Sequence, residues 1–448
     1  MEEISKKNRL AKHMRGMEKK FPNAYDFVPQ SWILPLENDE LLQYSKKREN
    51  QSKYFIIKPS NQSCGKGIVV TKDIASFLKS HKAQFLQHRT YVAQVYISNP
   101  FLLDNRKCDL RVYALVTTCD PLRLYVYKEG IVRLAADSYA PPNEENETNK
   151  HMHLTNHSIN KKRTGTINKY SLSFIFDRLK GLKGPECEQR LRSQINDIVL
   201  KTVIPVQPYI LSQYRKLRPR KQVYNESVSF ALLGFNIMLD EDLKPWLIEV
   251  NESPSLATGS MLDEHIKSKL IEDTFELLNI SKIDRELSHE MESYDSRRRL
   301  SLPCTCTKTT SIADSMNETS SGQYEDLNNL LYQTRREMAR DDFDDNVKGS
   351  FERLFPVQLK ADRKYYGEML LEAFRMQLGN QFNSQKQDLV RTYLEIPDES
   401  QVLELLDNLP KSNICNFVGK ARRFEMMYRG LEKYAGHVLP INLSPFWP

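Results

Sequence analysis

Short apolar runs separated by turn residues recur through the first 250 positions and predict β-strands. They cover residues 54–58, 67–71, 90–97, 109–118, 122–128, 228–240 and 245–250. Runs of this length, rich in Val, Ile, Tyr and Phe, are typical of strands. The Cys-Asp-Pro at 119–121 and the Glu-Asp-Leu-Lys at 241–244 each join two runs, so we expect two β-hairpins.

Helical periodicity appears in other parts of the chain. Residues 5–20 predict a basic helix with Leu10, Met14 and Met17 on one face, and residues 188–203 predict a second helix. Residues 141–150 read as a loop. From about 285 to 350 the chain is polar and rich in Ser and Thr, which predicts a linker with some helix. Residues 351–430 regain apolar periodicity and predict a small helical unit.

The length and composition are those of a globular protein with two or three domains. The chain has 448 residues, of which 40% are hydrophobic and 10% aromatic. No apolar run is long enough to span a bilayer, and the first ten residues lack a signal-peptide core. The seven cysteines are scattered, which favours a reducing compartment. Cys304 and Cys306 form an isolated pair that suits a linker better than a zinc site.

Positive charge is concentrated in particular segments. The net charge is +7, and residues 151–225 hold 15 Lys or Arg against 4 Asp or Glu. Such a field suits a polyanion: nucleic acid, an acidic membrane or an acidic protein tail. A basic surface that only keeps the protein soluble explains it as well, and charge alone does not choose among these.

Lys58 ends a predicted buried strand and is followed by the Gly-containing loop PSNQSCGKG. Backbone N–H groups of such a loop can cover phosphates while the lysine neutralises their charge. The loop is not a Walker motif, because Ile68 follows GKG and the upstream glycine is missing. A solvent-exposed hairpin remains an equally good interpretation.

The stretch RKCDLR places alternating charges on one strand. Lys107, Asp109 and Arg111 share a face because side chains repeat every two residues along a strand. Buried charges are costly unless they bind something charged. Either a charged ligand or mutual salt bridges would satisfy them, and Arg133 on the following strand could reach the same face.

The segment HMHLTNHS offers two interpretations. His151 and His153 suggest a metal, but no carboxylate or cysteine follows at ligand spacing. Thr155 and Asn156 fit better as neutral hydrogen-bonding groups beside a nucleotide.

The stretch GFNIMLDEDLKPWLIEVNESPSL carries a candidate metal site. Glu249 and Asn251 are two apart on one strand, and Asn236 lies on its hairpin partner. Carboxylate and amide oxygens are ligands for Mg²⁺, which keeps positions for phosphate oxygens. Two polar edge-strand residues are the alternative for this stretch taken alone. Lys58 and the RKCDLR face favour the magnesium interpretation.

Four motifs resemble, in this order, those of the tubulin tyrosine ligase-like family. They are FIIKPSNQSCGKGI, the stretch from QVYISNP to EGIVR, MHLTNHSINK and GFNIMLDEDLKPWLIEVNESPSL. SPSLATGSMLDEHIKSKL and the later FERLFP resemble its polyglutamylase branch. The resemblance covers residues 8–280, with a weaker match to about 360. It implies an α+β, ATP-grasp fold. We expect a truncated N-terminal lobe (1–53), a ligase domain (54–285), a polar linker (286–350) and a C-terminal helical extension (351–448) that could contact microtubules.

The resemblance also implies a reaction. An ATP- and Mg²⁺-dependent ligase would join free L-glutamate through amide bonds to glutamate side chains of acidic tubulin C-terminal tails. We expect a cytoplasmic monomer on the cytoskeleton, with the cilium or basal body as a candidate location, and no nucleic-acid or membrane partner.

Roles carried over from the family fall on specific residues. The ATP-binding set is Lys58, the loop Ser63, Cys64, Gly65, Lys66 and Gly67, the adenine hinge Gln94, Val95, Tyr96 and Ile97, and Lys107, Asp109, Thr155 and Asn156. The catalytic set is Lys107, Arg111, Arg133 and Glu249, and the metal ligands are Asn236, Glu249 and Asn251. The glutamate-binding set is Arg133, His157, Ser158, Arg163 and Lys267.

Three residues depart from the family pattern. His157 and Arg163 stand where we expect tyrosine and lysine, and Asn236 stands where we expect an aspartate metal ligand. An amide oxygen coordinates Mg²⁺ without adding charge, so we expect weaker Mg²⁺ binding and slow or lost turnover. An inactive ATP-grasp protein that binds microtubules or acidic tails is therefore the alternative. A protein kinase is disfavoured, since the HRD and DFG signatures are missing.

Overall fold

The structure, a computed structural model, describes residues 1–160, 169–217, 229–280, 312–384 and 399–408, together with residues 286, 289, 290, 293 and 434. The chain divides into two compact units. The first consists of residues 1–217, 229–271 and 350–387, and the second of residues 218–228, 272–349 and 388–448.

A four-stranded antiparallel sheet forms one part of the first unit. Its strands are β1 (Ser31–Leu34), β2 (Phe55–Pro59), β3 (Val69–Thr71) and β4 (Tyr91–Val95), in the order β1-β4-β2-β3. Trp32, Phe55 and Ile57 pack into the core on one face of this sheet. The predicted strands at 54–58, 67–71 and 90–97 are confirmed within a few residues.

A seven-stranded antiparallel sheet forms the other part. It contains β5 (Leu102–Leu103), β6 (Arg106–Cys119), β7 (Leu122–Leu134), β8 (Lys169–Ser171), β9 (Ala231–Leu239), β10 (Pro245–Asn251) and β11 (Phe351–Phe355). The order is β10-β9-β6-β7-β11, and β5 and β8 pair with β6 and β7. Both predicted hairpins, β6–β7 and β9–β10, are confirmed. Mixed helices and antiparallel sheets confirm the α+β class.

The described helices are α1 (Glu2–Ser5), α2 (Lys7–Glu18), α3 (Asn38–Lys46), α4 (Ile74–Ser80), α5 (Lys82–Leu86), α6 (Lys150–His153), α7 (His157–Asn160), α8 (Leu172–Lys183), α9 (Glu186–Val203), α10 (Gln207–Leu217), α11 (Met261–Leu278), α12 (Ile312–Val347), α13 (Lys360–Leu378) and α14 (Glu399–Asp407). Helix α2 buries Leu10, Met14 and Met17, as predicted. Single 3₁₀ turns lie at 48–50, 204–206 and 379–381.

Two differences from the predicted organisation concern the C-terminal third. Residues 351–355 form β11, which pairs with β7, so the segment predicted to begin a helical unit starts inside the seven-stranded sheet. Phe351 and Phe355 are buried there, and this burial holds the strand in place. Residues 312–347, predicted as part of a polar linker with some helix, form the single long helix α12, with Leu331, Tyr332 and Ala339 buried. In this second unit α12 packs against α14.

Candidate active site

A cavity of about 590 Å³ opens in the first unit and is lined by residues of both sheets. Lining residues also come from the loop 59–66, from residues 153–156 and from the N-terminal residues 2–7. The volume lies in the range typical of small-molecule sites. All predicted ATP-binding residues except Gly67, and all three predicted metal ligands, line this cavity.

Lys58 lies at the end of β2 with its side chain buried. Its Nζ donates to Gln94 Oε1 on β4 at 2.7 Å, and Gln94 Nε2 in turn donates to Ser31 Oγ at 2.9 Å. Burial lowers the pKa of Lys58 to about 8, since the nearby Glu249 carboxylate offsets only part of the effect. Gln94 therefore orients the Lys58 ammonium toward the cavity.

Lys107 heads a second buried chain of hydrogen bonds. Its Nζ donates to the Tyr96 hydroxyl at 2.8 Å, and that hydroxyl lies 2.9 Å from His153 Nδ1. His153 Nε2 faces the Asn146 carbonyl at 3.1 Å, and burial lowers the pKa of His153 to about 4. The ring is then neutral with its proton on Nε2, so Nδ1 accepts from Tyr96.

Asp109 pairs with Arg133 across the β6–β7 register. Arg133 Nε donates to Asp109 Oδ1 at 2.8 Å, and Arg133 Nη2 bonds the other carboxylate oxygen. Burial alone would lower the pKa of Arg133, but Asp109 holds it above its ordinary value. For Asp109 the salt-bridge alternative is therefore realised, with Arg133 rather than Lys107 as the partner within hydrogen-bonding distance.

Arg111 is the charged group of β6 that faces the metal-ligand candidates. It stands opposite Asn236 in the β6–β9 register, and Arg111 Nε donates to Asn236 Oδ1 at 2.8 Å. Burial, followed by the nearby Arg133, lowers the pKa of Arg111 to about 10. Gly234 makes room for this side chain, because a Cβ there would lie 3.1 Å from Arg111 Cδ.

Asn236, Glu249 and Asn251 meet at the end of the β9–β10 hairpin. Asn236 Nδ2 donates to Glu249 Oε1 at 2.7 Å, and Asn251 Nδ2 lies 3.5 Å from the same oxygen. Burial would raise the pKa of Glu249, but Lys7, Lys58 and two arginines lower it below its ordinary value. The donor set of one ionised carboxylate and two amides suits a hard cation such as Mg²⁺. The Asn236 oxygen, however, already accepts from Arg111.

The loop after β2 contacts the segment that carries Thr155 and Asn156. Gly65 has a φ of +73°, and a Cβ added there would lie 2.4 Å from Ile159 Cδ1 and 3.1 Å from Asn156 Oδ1. Ser158 Oγ donates to the Cys64 carbonyl at 3.2 Å. A glycine is needed at 65 for both the left-handed backbone and this close approach.

Several polar groups of the predicted adenine hinge, residues 94–97, already have hydrogen-bond partners within the protein. The N–H groups of Val95 and Tyr96 already donate to backbone carbonyls of Gln30 and Tyr54, at 2.9 and 2.8 Å. The side chains of Gln94 and Tyr96 orient the two buried lysines. These groups are therefore not free to bond a base, whereas Met238 and Ile248 give the cavity an apolar surface.

The structure describes the side chains of only some of the predicted glutamate-binding residues. Lys267 Nζ lies 2.8 Å from Asp263 Oδ1 and donates to the Ala257 carbonyl at 2.6 Å. Lys169 Nζ bonds the other oxygen of Asp263 at 2.6 Å. The side chain of His157 and the whole of Arg163 lie outside the described residues. Neither Lys267 nor Ser158 lines the cavity.

Lys7 is a site residue that the sequence patterns did not indicate, and His153 has a different role from the one considered. Lys7, the first residue of α2, lies 3.9 Å from Glu249 Oε2 and donates to the Gln62 carbonyl at 2.9 Å. His153, which the sequence suggested as a possible metal ligand, supports Tyr96 instead. Periodicity places Lys7 on a helix but carries no signal that its side chain reaches a strand 242 positions later.

The described residues contain no cluster of three His, Cys, Asp or Glu suited to a metal ion. Within the same residues, no helix combines the length and the apolar character needed to cross a membrane.

Comparison with known proteins gives the site its context. The model of the tubulin-tyrosine ligase family matches residues 1–288. Tubulin polyglutamylase TTLL7 of Homo sapiens is 34% identical over 418 residues, covering 91% of this chain and 46% of that protein. Tubulin polyglutamylase TTLL6 of Mus musculus is 39% identical over 310 residues, covering 66% and 35%.

A more distant relative extends the same result. A probable beta-tubulin polyglutamylase of Tetrahymena thermophila is 31% identical over 390 residues, covering 84% of this chain and 30% of that protein. The chain thus spans less than half the length of these relatives. The family model matches well over half of the chain, so this chain belongs to the tubulin-tyrosine ligase family.

Proposed function

We propose that the protein is a polyglutamylase, an ATP-dependent ligase that joins glutamate by amide bonds to glutamate side chains of acidic tubulin C-terminal tails. The observation that carries this proposal is the cavity whose lining includes Lys58, Lys107 and Glu249. The names of relatives that match 84–91% of the chain support tubulin as the acceptor.

ATP would bind with its phosphates near Lys58 and Lys107 and its base toward the 94–97 segment. Both lysines are buried, so their ammonium groups lie in a medium where attraction to phosphate is strong. The loop 63–67 would cover the phosphates through backbone N–H groups, and its contact with Asn156 would join it to the ribose side.

Mg²⁺ is proposed as a cofactor of the phosphoryl-transfer step. Glu249 and Asn251 would hold it, because their side chains lie together at the cavity end of β10. The ion would supply charge neutralisation on the phosphoryl group. The role of Asn236 as a third ligand stays a prediction.

The reaction would proceed in two displacements. An oxygen of the acceptor γ-carboxylate attacks the γ-phosphorus of ATP, the P–O bond to ADP breaks, and an acyl phosphate forms. The amine of free glutamate then attacks the acyl carbon, phosphate leaves, and the nitrogen loses a proton to give the amide. Arg111, near the Glu249 end of the site, would stabilise charge on the transferring group.

The incoming glutamate would bind on the Arg133 and Lys267 side. Both cations already have carboxylate partners, Asp109 and Asp263, so these pairs would fix the cations in position. Ser158, His157 and Arg163 complete the proposed set. The acidic tail would be drawn by the positive charge of residues 151–225.

The remaining organisation is proposed on the resemblance alone. Residues 1–53 would belong to the N-terminal lobe of the family fold, and residues 351–448 would include a region that contacts microtubules. We propose a monomeric protein with a cytoplasmic, cytoskeletal location that includes cilia or basal bodies.

ADP release tests the proposal. Turnover of ATP to ADP should require both glutamate and tubulin, and should fall at least about 100-fold in Lys58→Met, because one phosphate-neutralising charge is lost. Lys53→Met, on a half-buried lysine outside the cavity lining, is the matched control and should retain turnover. ADP release that ignores glutamate and tubulin would contradict a ligase.

A second candidate function rests on Asn236. Asn236 adds no charge and its oxygen accepts from Arg111, so Glu249 is the single carboxylate among the three predicted metal ligands, which suits an inactive protein that binds nucleotide and acidic tails. ATP binding and tubulin binding without ADP release would select this function. If Asn236→Asp gained ATP turnover, the inactivity of the natural chain would be due to the asparagine at this position.

A further inference from the structure

The amide of Asn236 has a fixed orientation. Asn236 is 3% exposed and stands in register with Arg111 on one side and Glu249 on the other. Its Oδ1 accepts from Arg111 Nε at 2.8 Å, and its Nδ2 donates to Glu249 Oε1 at 2.7 Å. A guanidinium only donates and a carboxylate only accepts, so the amide cannot be turned over without losing both bonds.

Both oxygens of Glu249 therefore face donors that belong to the chain. Oε1 accepts from Asn236, and Oε2 lies 3.9 Å from the Lys7 ammonium. A divalent cation bound by Glu249 would compete with these donors and would lie close to two positive groups, Lys7 and Arg111. The carboxylate that would attract the ion is already neutralised.

The part of the cavity beside Glu249 carries enough positive side chains to bind an anion without a metal ion. Lys7, Lys58 and Lys107 line the cavity, with Arg111 beside Asn236, and the carboxylate of Asp109 is committed to Arg133. A triphosphate needs its charge compensated, and these cations are positioned for that purpose.

We propose that this chain binds ATP through its own cations, with no requirement for a divalent cation in the binding step. This rests on the proposed nucleotide site and concerns whether ATP binds as the free anion or only as its magnesium complex. The Arg111–Asn236–Glu249 bridge keeps the cationic corner assembled when metal is absent.

Calorimetric titration of ATP in excess magnesium chloride and in excess EDTA tests the inference. For the natural chain we expect dissociation constants that agree within about threefold. An affinity at least about tenfold lower in EDTA would overturn the inference and leave the proposed function standing. Failure to bind ATP in either buffer, with cooperative thermal unfolding retained, would overturn the nucleotide site itself.

Asn236→Asp supplies the matched comparison. The new carboxylate would repel phosphate and attract a divalent ion, so affinity in EDTA should fall about tenfold and magnesium should restore it. Asn236→Leu, which adds no charge, should show no such magnesium dependence. Equal magnesium dependence in the natural chain and Asn236→Asp would contradict the role given to the amide.

Discussion

The Lys107 ammonium donates a 2.8 Å hydrogen bond to the Tyr96 hydroxyl, and both side chains are buried at the wall of the cavity. Burial, together with the charge of Lys58, lowers the pKa of Lys107 to about 7. Because Lys107 is proposed to bind phosphate, its titration near neutrality would make ATP affinity sensitive to pH.

ATP affinity should fall as pH rises above 7. Phosphate binds the ammonium form, and the free protein loses that proton near pH 7, so each further pH unit should cost up to about tenfold in the dissociation constant. Titrations between about pH 6 and 9 would measure this slope. Lys107→Arg stays charged and should remove the component that begins near 7. An unchanged slope in that variant would assign the dependence to other groups, Lys58 first among them.

His153 should act as a positioning residue for Lys107. His153→Leu leaves the Tyr96 hydroxyl without its acceptor, so ATP affinity should weaken about fivefold through the loosened Lys107, a change of about 1 kcal/mol. His153→Gln, which keeps an acceptor, should recover part of the loss. The pH midpoint assigned to Lys107 should shift in the Leu variant, and a change of affinity with an unmoved midpoint would indicate only a packing defect.

Gly234→Ala should impair turnover by displacing Arg111. The new Cβ would lie 2.9 Å from Pro254 Cβ and 3.1 Å from Arg111 Nη1. We expect kcat to fall at least about tenfold, since Arg111 is proposed to act on the transferring group. Gly181→Ala, where a Cβ meets nothing within 4 Å, is the control. Equal kcat values for both variants would remove Arg111 from the proposed reaction.

Asp263→Asn should destabilise the first unit. Asp263 is 1% exposed and pairs with Lys169 and Lys267, and breaking such a buried cluster costs about 3–5 kcal/mol. Burial opposes ionisation of Asp263, yet its lysine partners lower its pKa to about 2. Its stabilising contribution should therefore be complete above about pH 4 and be lost as pH falls toward 2. Denaturant unfolding measures both effects.

The exposed Asp177→Asn provides the comparison for that experiment. Asp177 has a side chain that is 75% exposed and lies 3.6 Å from Lys180, so its loss should change the unfolding free energy by less than about 0.5 kcal/mol. Similar losses for the two variants would mean that the Asp263 cluster does not stabilise the fold.

Sequence patterns predicted the strand elements of the site well because strand periodicity fixes which residues share a face. Arg111 and Asn236 fall opposite one another, as do Asn236 and Glu249, once β6, β9 and β10 pair in the observed register. The turn at 241–244 predicted the pairing of β9 with β10, whereas the pairing of β6 with β9 had no local signal in the sequence. Contacts from outside the sheets, such as Lys7 to Glu249, depend on how α2 packs and were not predictable from periodicity.

The C-terminal third was less predictable for a different reason. Polar composition in 312–347 predicted a linker with some helix rather than one long helix, and apolar residues such as Leu331 and Tyr332 are buried in the C-terminal part of α12. Strand β11, with five residues, is too short to show the two-residue alternation of a strand in its sequence, and its structure depends on pairing with β7.

Mass spectrometry of tubulin is the decisive measurement for polyglutamylase activity. The chain would be incubated with tubulin, ATP and isotope-labelled glutamate, and the masses of the tail peptides would then be measured. We expect a ladder of masses spaced by one labelled glutamate residue on acidic tail peptides, dependent on ATP and lost in Lys58→Met. Tail peptides of unchanged mass, from a chain shown to bind both ATP and tubulin, would contradict it.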